Sequence, residues 1–319
     1  MIKKIVAFSI GTIMLAGGCA SESAEVINTE DQSKDSLESI EVKDSNGLAV
    51  DVPVNPEKVV IFDMGLLDTF EVLDSKDKVV GTVTQSLPDY LSSFGDSDVV
   101  SVGSLKEPDL EAVYELNPDL ILISGRQLDF LDELDKIAPT LYLSVDLENY
   151  WDSFAENMQT IGQILLMEEQ VEAELDSIQK EMGALQEAAQ DSGKSTLVTI
   201  LNEGSLSAFG EHSRYGMLYE EFGFIPVDNS IESSIHGQSI SYEYILQENP
   251  DLLFVVDRSQ AIGGDTSISD LSLNPVIQET RAYQQDAIIY LNADLWYLSG
   301  GGLQSIQLMI QEVQNQVEF

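Results

Sequence analysis

The 319-residue chain has very little cysteine and few positive charges. Cys19 is its only cysteine, so no intramolecular disulfide can form. Its 15 lysines and arginines face 56 aspartates and glutamates, which gives a formal net charge of −41. Binding to nucleic acid and docking on an anionic membrane surface both depend on clustered positive charge, so this balance argues against both. The length is typical of about two domains.

Motifs of several enzyme classes are also missing. The sequence has no GxSxG nucleophile elbow, no HExxH and no catalytic cysteine, which argues against an extracellular hydrolase or esterase. It has neither a phosphate-loop lysine motif nor GxGxxG, so we predict no nucleotide site. Two histidines are few for a bare-metal site, which normally needs several histidine and carboxylate ligands. These absences favour a binding protein without a permanent cofactor over an enzyme.

The N-terminus has the layout of a secretory signal peptide over residues 1–18. Two lysines precede an apolar run that is too short to span a bilayer, and small residues then lead to Cys19. The segment resembles a bacterial lipoprotein processing site, although Ala16 stands where such sites usually carry leucine. A cleaved, unlipidated signal is the alternative. Residues 19–40 are acidic and poor in aromatics, so we predict a disordered tether to an extracytoplasmic, lipid-anchored body.

Residues 41–149 predict an N-terminal α/β lobe. Short β-branched runs, bounded by glycine, proline and aspartate, alternate with helical patterns, and this alternation is typical of a parallel sheet. The predicted strands are KVVIFD at 58–63, KVVGTV at 78–83, DLILIS at 119–124 and TLYLSV at 140–145, and the predicted helices are at 65–74 and 109–117.

Linking helices are predicted over residues 150–190. The second of them would span about 35 Å, which is the width of a small domain. We interpret it as a bridge between two lobes, and a helix packed inside one domain is the alternative. Strand signals resume at 195–201, 205–210, 251–257 and 287–292, so residues 191–319 predict a C-terminal α/β lobe. One apolar face of the bridging helix is formed at steps of three and four by Val171, Leu175, Ile178, Met182 and Leu185.

An internal repeat relates the two lobes. EAVYELNPDLILISGR runs from Glu111 to Arg126, and EYILQENPDLLFVVDR runs from Glu243 to Arg258, at a constant shift of 132 residues. The Asn-Pro-Asp sequence alone is a common helix stop before a strand. Glutamate, NPDL and arginine in one register together indicate that the lobes are duplicated halves.

Three of the four arginines follow predicted strands. Arg126 and Arg258 both follow the carboxyl end of a strand, and Arg214 lies on a loop after another. Ligands of open α/β sheets bind outside the carboxyl ends of the strands, so we predict that these arginines converge on a cleft and bind an anion. Salt bridges to the chain's own carboxylates are the alternative. Arg281 precedes a strand and is predicted to lie on the surface.

Two more segments supply candidates for the cleft. SIHGQSISYEY contains His236, and DLWYLSGGGLQS places Trp296 and Tyr297 before three glycines and a helix. Glycines allow close approach of the backbone to a ligand. A structural role for the histidine and core packing for the tyrosine are the simpler interpretations of each residue taken alone.

These segments resemble the iron-siderophore substrate-binding lipoproteins of bacterial ABC importers, especially the catecholate branch that includes petrobactin-binding proteins. The resemblance covers the chain from about residue 42 to its end. It implies two Rossmann-like lobes joined by one long rigid helix, the helical-backbone type of periplasmic binding protein, acting as a monomer with a membrane permease. It is carried by VGSLKEPDLEAV, NPDLILISGRQ, SAFGEHSRYG, SIHGQSISYEYI, NPDLLFVVDRSQAIG and WYLSGGGL.

The resemblance also implies roles for individual residues. Arg126, Arg214 and Arg258 would surround an anionic ferric catecholate through charge-assisted hydrogen bonds and stacking. His236 and Tyr297 would ligate Fe³⁺ when the siderophore leaves coordination sites open, because the ion favours a deprotonated phenol.

Trp296, beside Tyr297, is expected at the cleft. Glu111 and Glu243 would dock onto arginines of the permease, one in each lobe, and exposed helix carboxylates without that role are the alternative. Other ligands, such as haem, cobalamin, a hydroxamate siderophore or a bare metal ion, stay open.

Overall fold

The computed structural model describes residues 38–95, 98–264 and 270–319. The predicted signal peptide, Cys19 and nearly all of the predicted tether lie outside these residues. The first strand, β1, begins at Ser39, so it covers the last two residues assigned to the tether. Within the described ranges, no helix is both long and apolar enough to cross a membrane.

The N-terminal lobe is built on a parallel sheet, as predicted, but the sheet has five strands rather than the four predicted. A hairpin of β1 (Ser39–Lys43) and β2 (Ala49–Pro53) precedes it. The sheet order is β5-β4-β3-β6-β7. Its strands are β3 (Val59–Ile61), β4 (Val79–Thr82), β5 (Val100–Ser101), β6 (Leu120–Ile123) and β7 (Thr140–Tyr142), and its helices are α1 (Met64–Val72), α2 (Leu110–Leu116) and α3 (Leu131–Leu134). Every residue of β6 is buried, which explains its continuous run of Leu and Ile.

Two helices follow the N-terminal lobe: α4 (Tyr150–Leu165) and α5 (Glu168–Ser192). They are separated at Leu166, whose φ of 59° ends the first helix in the left-handed region. The predicted apolar face of α5, from Val171 to Leu185, is buried.

Helix α5 contacts both lobes. Near its start, Gln170 Nε2 donates to the Val72 carbonyl at 3.1 Å, in the N-terminal lobe. Near its end, Gln186 Nε2 donates to the Glu220 carbonyl at 3.4 Å, in the C-terminal lobe. The two glutamines are about 24 Å apart along the helix, so the interpretation of α5 as a bridge is confirmed.

The sheet of the C-terminal lobe is mixed rather than wholly parallel. Its order is β11-β9-β8-β12-β13, with β10 beside β8, and β9 runs antiparallel to both of its neighbours. The strands are β8 (Ser195–Asn202), β9 (Ser205–Phe209), β10 (Ile225–Pro226), β11 (Gln238–Ile240), β12 (Leu252–Asp257) and β13 (Ile288–Leu291). The helices are α6 (Met217–Glu220), α7 (Tyr242–Glu248), α8 (Arg258–Ala261), α9 (Arg281–Gln284), α10 (Ala293–Leu298) and α11 (Leu303–Gln316).

The last helix returns to the N-terminal lobe, although residues 191–319 were expected to form the C-terminal lobe alone. Backbone N–H groups of Gln304 and Ser305, at the start of α11, donate to the carboxylate of Asp68 in α1, each at 3.1 Å. Just beyond the carboxyl end of α11, the ring of Phe319 lies 6.2 Å from that of Phe224 in the C-terminal lobe. Helix α11 therefore forms a second connection between the lobes and packs against α5.

A glycine makes the contact of α11 with α1 possible. A Cβ at Gly302 would lie 2.0 Å from the Gly65 carbonyl oxygen and 2.2 Å from Asp68 Oδ1. Burial raises the pKa of Asp68 from its usual 3.8 to about 7, although the hydrogen bonds that it accepts act in the opposite direction. The third glycine of the GGG sequence thus allows a close approach between lobes.

Candidate functional site

The predicted ligand-binding residues, all except Arg258, line a cavity of about 500 Å³ between the lobes. Its lining includes Lys106 and Arg126 from the N-terminal lobe and Arg214, His236 and Tyr297 from the C-terminal lobe. A larger surface cavity of about 660 Å³ lies against the N-terminal lobe alone, around Asp74, Lys76 and Asp77, and none of the predicted residues lines it. Convergent groups from both lobes favour the first cavity as the binding site.

Two arginines from different lobes meet at one backbone carbonyl. Arg126 Nη2 and Arg214 Nη2 each donate to the Tyr297 carbonyl oxygen at 2.8 Å, and Arg126 Nη1 donates to the Leu298 carbonyl at 3.4 Å. Both carbonyls lie at the carboxyl end of α10, where the last turn has no intrahelical partners and carries partial negative charge. The end of α10 therefore holds both guanidinium groups at the cavity.

The third arginine reaches the site through the side chain of Tyr297. Arg258 Nε donates to the Tyr297 hydroxyl at 2.8 Å, and Arg258 Nη1 donates to Asn202 Oδ1 at 2.7 Å. The Arg214 guanidinium lies 4.2 Å from the Tyr297 ring centroid, within the range of a cation–π contact. The three predicted arginines thus converge on one tyrosine, with Arg258 behind it rather than in the cavity wall.

Neutral oxygen atoms hold these guanidinium groups. Among the residues that the structure describes, Arg126, Arg214 and Arg258 have no carboxylate within 4.0 Å, whereas Arg281 pairs with Asp251 at 2.7 Å. The alternative of an internal salt bridge therefore applies to Arg281 and not to the other three. In a chain with 56 acidic residues, three arginines without a carboxylate partner leave concentrated positive charge for an external anion.

The arginines change the acidity of the tyrosine that they surround. Burial alone would raise the pKa of Tyr297, but the hydrogen bond from Arg258 and the charges of the three arginines outweigh burial, so its pKa is lowered. Burial also lowers the pKa of the Arg126 guanidinium, while the nearby Asp63 carboxylate opposes that effect. Such a phenol loses its proton more easily than an ordinary tyrosine, as a ligand for a hard cation must.

The other two predicted cleft residues differ in exposure. His236 is exposed on the loop before β11, and it lines the cavity. Trp296 is only 3% exposed, packs edge-on against Phe222, and donates its indole N–H to Glu312 at 2.7 Å. Little of the Trp296 side chain is thus available to a ligand.

Lys106 and Asn202 are polar residues of the site that were not predicted. Lys106 lines the cavity. Lysine is more common than arginine in this chain, so the presence of one lysine did not mark this position as unusual. Asn202 contacts Arg258 across the sheet, and nothing in the sequence relates two residues 56 positions apart. A prediction that β8 and β12 are neighbours, each with a polar residue at its carboxyl end, could have found this contact.

The predicted docking glutamates occupy matching positions on the two lobes. Glu111 is exposed in the first turn of α2, and Glu243 is exposed in the first turn of α7. Among the described residues, no group of three or more histidine, cysteine, aspartate or glutamate side chains could hold a metal ion.

Comparisons with known proteins agree with this architecture. The model of a family described as periplasmic binding protein matches residues 59–295. The petrobactin-binding protein YclQ of Bacillus subtilis is 44% identical over 307 residues, which cover 96% of each chain. Its crystal structure superposes with a TM-score of 0.87 at 46% identity, over 88% of this chain and 99% of that one.

Two further crystal structures are similar. The iron-uptake ABC transporter substrate-binding protein PiuA of Streptococcus pneumoniae gives a TM-score of 0.83 at 38% identity, over 88% of this chain and 100% of that one. The periplasmic catecholate-siderophore binding protein VctP of Vibrio cholerae gives 0.81 at 30% identity, over 87% and 100%. These likenesses confirm the predicted fold of two α/β lobes joined by a long helix.

Proposed function

Because this chain belongs to the periplasmic binding protein family, we propose that it captures a ferric catecholate siderophore of the petrobactin type and delivers it to an ABC permease. The observation that carries the proposal is the group of three arginines that are held by neutral oxygens and converge on Tyr297, in the wall of a cavity between the lobes. A ferric catecholate is a polyanion with aromatic rings, and it suits guanidinium groups through charge-assisted hydrogen bonds and stacking. A binding protein that performs no reaction accounts for these features.

Iron coordination by the protein is a second part of the proposal. The lowered pKa of Tyr297 favours the phenolate that Fe³⁺ prefers, and the exposed His236 lines the same cavity. The two side chains would complete the coordination of a siderophore that leaves sites open, while the siderophore supplies the other ligands. Lys106 adds a third cation to the lining, beside Arg126 and Arg214.

The partner and the location follow from the same proposal. Glu111 and Glu243 lie exposed at equivalent positions of the two lobes, which suits a permease with one contact for each lobe. Cys19 would carry the lipid that anchors the chain, as a monomer, outside the cytoplasmic membrane. Both roles go beyond the binding of the ligand itself and require tests of their own.

A fluorescence titration tests the proposed ligand. Trp296 lies in the wall of the cavity, so saturable quenching by a bound iron chelate is expected. Residues 20–319 would be titrated with ferric petrobactin, a simpler ferric bis-catecholate and a ferric hydroxamate, each beside its iron-free form. We expect tight binding of the ferric catecholates and weak binding of the neutral hydroxamate. Preference for the hydroxamate, or no binding at all, would contradict the proposal.

A further inference from the structure

A side chain behind the cavity determines how Arg258 meets Tyr297. Arg258 makes two hydrogen bonds with different nitrogens: Nε donates to the Tyr297 hydroxyl at 2.8 Å, and Nη1 donates to Asn202 Oδ1 at 2.7 Å. Two bonds in different directions fix the plane of the guanidinium group. Asn202 is partly buried at the carboxyl end of β8, and it was not among the residues predicted to contact the ligand or the permease.

The backbone around Asn202 is held in place independently of its side chain. It pairs with Ser205 across the β8–β9 hairpin, and the two residues between them, Glu203 and Gly204, have φ values of 48° and 83°. A two-residue turn of this kind requires left-handed backbone. The Glu203 N–H also donates to Ser259 Oγ at 2.8 Å, directly beside the Asn202–Arg258 bond. Two adjacent contacts thus join the hairpin to the start of α8.

The chemistry of the amide matters as much as its position. An amide oxygen accepts a hydrogen bond from a guanidinium group without cancelling its charge, whereas a carboxylate at the same distance would form an ion pair. The neighbouring residue is itself an acid, Glu203, yet its carboxylate forms no ion pair with Arg258 within 4.0 Å in the described part of the chain. The side chain that accepts from Arg258 Nη1 is therefore neutral in a strongly acidic chain.

We infer that Asn202 is a positioning residue, whose amide oxygen holds Arg258 against the Tyr297 hydroxyl while leaving the positive charge of Arg258 available to an anionic ligand. The inference rests on the proposed function and specifies how that site keeps its charge. It makes Asn202 a determinant of anion affinity, although the residue itself lies behind the tyrosine.

Two substitutions separate charge from structural support. N202D is nearly isosteric and keeps an acceptor at the same place, but it neutralises Arg258. N202A removes the acceptor and leaves the charge. A residue with a purely structural role would suffer more from N202A. Our inference predicts the reverse order: N202D loses about tenfold or more in affinity for ferric petrobactin, and N202A loses less. N315D, at an exposed position of α11, adds the same charge and should bind like the parent.

A measurement without ligand completes the test. The chain has four arginines, so ¹⁵N spectra of the arginine Nε–H groups are simple, and R258K identifies the Arg258 signal. N202A should shift or broaden that signal and leave the other three in place. An unchanged Arg258 signal in N202A, or parental affinity in N202D, would overturn the inference. If the parent protein binds no ferric catecholate, the proposed function fails, and the spectra still decide whether Asn202 positions Arg258.

Discussion

In the N-terminal lobe, α2 covers Leu110–Leu116 and ends at Asn117 with φ 46°; in the C-terminal lobe, α7 covers Tyr242–Glu248 and ends at Asn249 with φ 49°. Both helices have seven residues, and each leads through Asn-Pro-Asp into a fully buried strand followed by an arginine. The asparagine suits the left-handed helix end, and the proline prevents continuation of the helix. The repeated sequence thus forms the same local structure twice.

The lobes differ in what they contribute to the cavity. The N-terminal lobe provides Arg126 and Lys106 to the lining, whereas the C-terminal lobe provides Arg214, His236 and most of the aromatic side chains. Its antiparallel strand β9 leads into the loop that carries Arg214, and α10 follows β13 and carries Tyr297. The comparison shows that the duplicated unit gives each lobe one arginine, while elements outside the repeat build the rest of the site.

Removal of arginines should have the largest effect, and it should show how much each lobe contributes to ligand binding. A hydrogen bond to a charged group contributes about 1.5–3 kcal/mol, so R126A should weaken ferric petrobactin binding roughly 10- to 100-fold. The double variant R214A/R258A, in the C-terminal lobe, should weaken binding about 100-fold or more. R281A removes an arginine paired with Asp251 and serves as the control. Equal losses in R281A and R126A, measured by titration, would mean that the effect is only one of net charge.

A substitution at Gly302 tests whether the close contact between α11 and α1 stabilises the protein. G302A places a methyl group 2.0 Å from the Gly65 carbonyl oxygen, so it should lower the free energy of unfolding by about 1–3 kcal/mol or more. G183A is the matched control because a Cβ at Gly183 in α5 meets nothing within 4 Å. Urea unfolding compares the two variants. Parental stability of G302A would show that the tight contact between lobes is not needed.

The buried carboxylate at the same contact should make stability depend on pH. The pKa of Asp68 is raised from its usual 3.8 to about 7, so the folded state binds this proton more tightly than the unfolded chain. Its contribution is fully present below pH 3.8 and is lost as pH rises through 7. Unfolding measured between these pH values should show a steeper decline for the parent than for D68N. D176N, at an exposed position of α5, is the control, and an identical slope in D68N would contradict the account.

Substitution of the paired glutamates should have the smallest effect on binding. Glu111 and Glu243 are exposed on helices, and neither lines the cavity, so E111Q/E243Q should bind ferric petrobactin like the parent. Uptake of radioactive iron by cells that carry this variant should fall, because the proposed permease contact is weakened in both lobes. The control E172Q/E187Q removes two exposed carboxylates from α5. Normal uptake with E111Q/E243Q would argue against the docking role.

Local patterns of the sequence predicted much of the fold. The strands of the N-terminal lobe, the apolar face of α5 and the matching helices of the repeat all depend on residues close together in the chain. The return of α11 to the N-terminal lobe depends on the contact of Gly302 with α1, which brings together residues more than 230 positions apart. No local pattern carries such information, and the antiparallel direction of β9 was likewise not predicted.

The sequence predicted which residues form the candidate site better than it predicted how their side chains are arranged. Scarcity of arginine, and its place after strands, identified the side chains that converge on Tyr297. The sequence did not reveal that Arg126 and Arg214 share the Tyr297 carbonyl, because a backbone oxygen has no residue-specific signal. It did not reveal that Arg258 lies behind the phenol, because side-chain depth depends on the packing of α8 against α10.

A crystal structure of residues 20–319 with ferric petrobactin tests the central claim most directly. The account predicts that the chelate occupies the cavity between the lobes, with its anionic oxygens within hydrogen-bond distance of Arg126 and Arg214 and with Arg258 still bound to Asn202. A chelate held elsewhere, or one that leaves both cavity arginines on the Tyr297 carbonyl without contacting them, would contradict it.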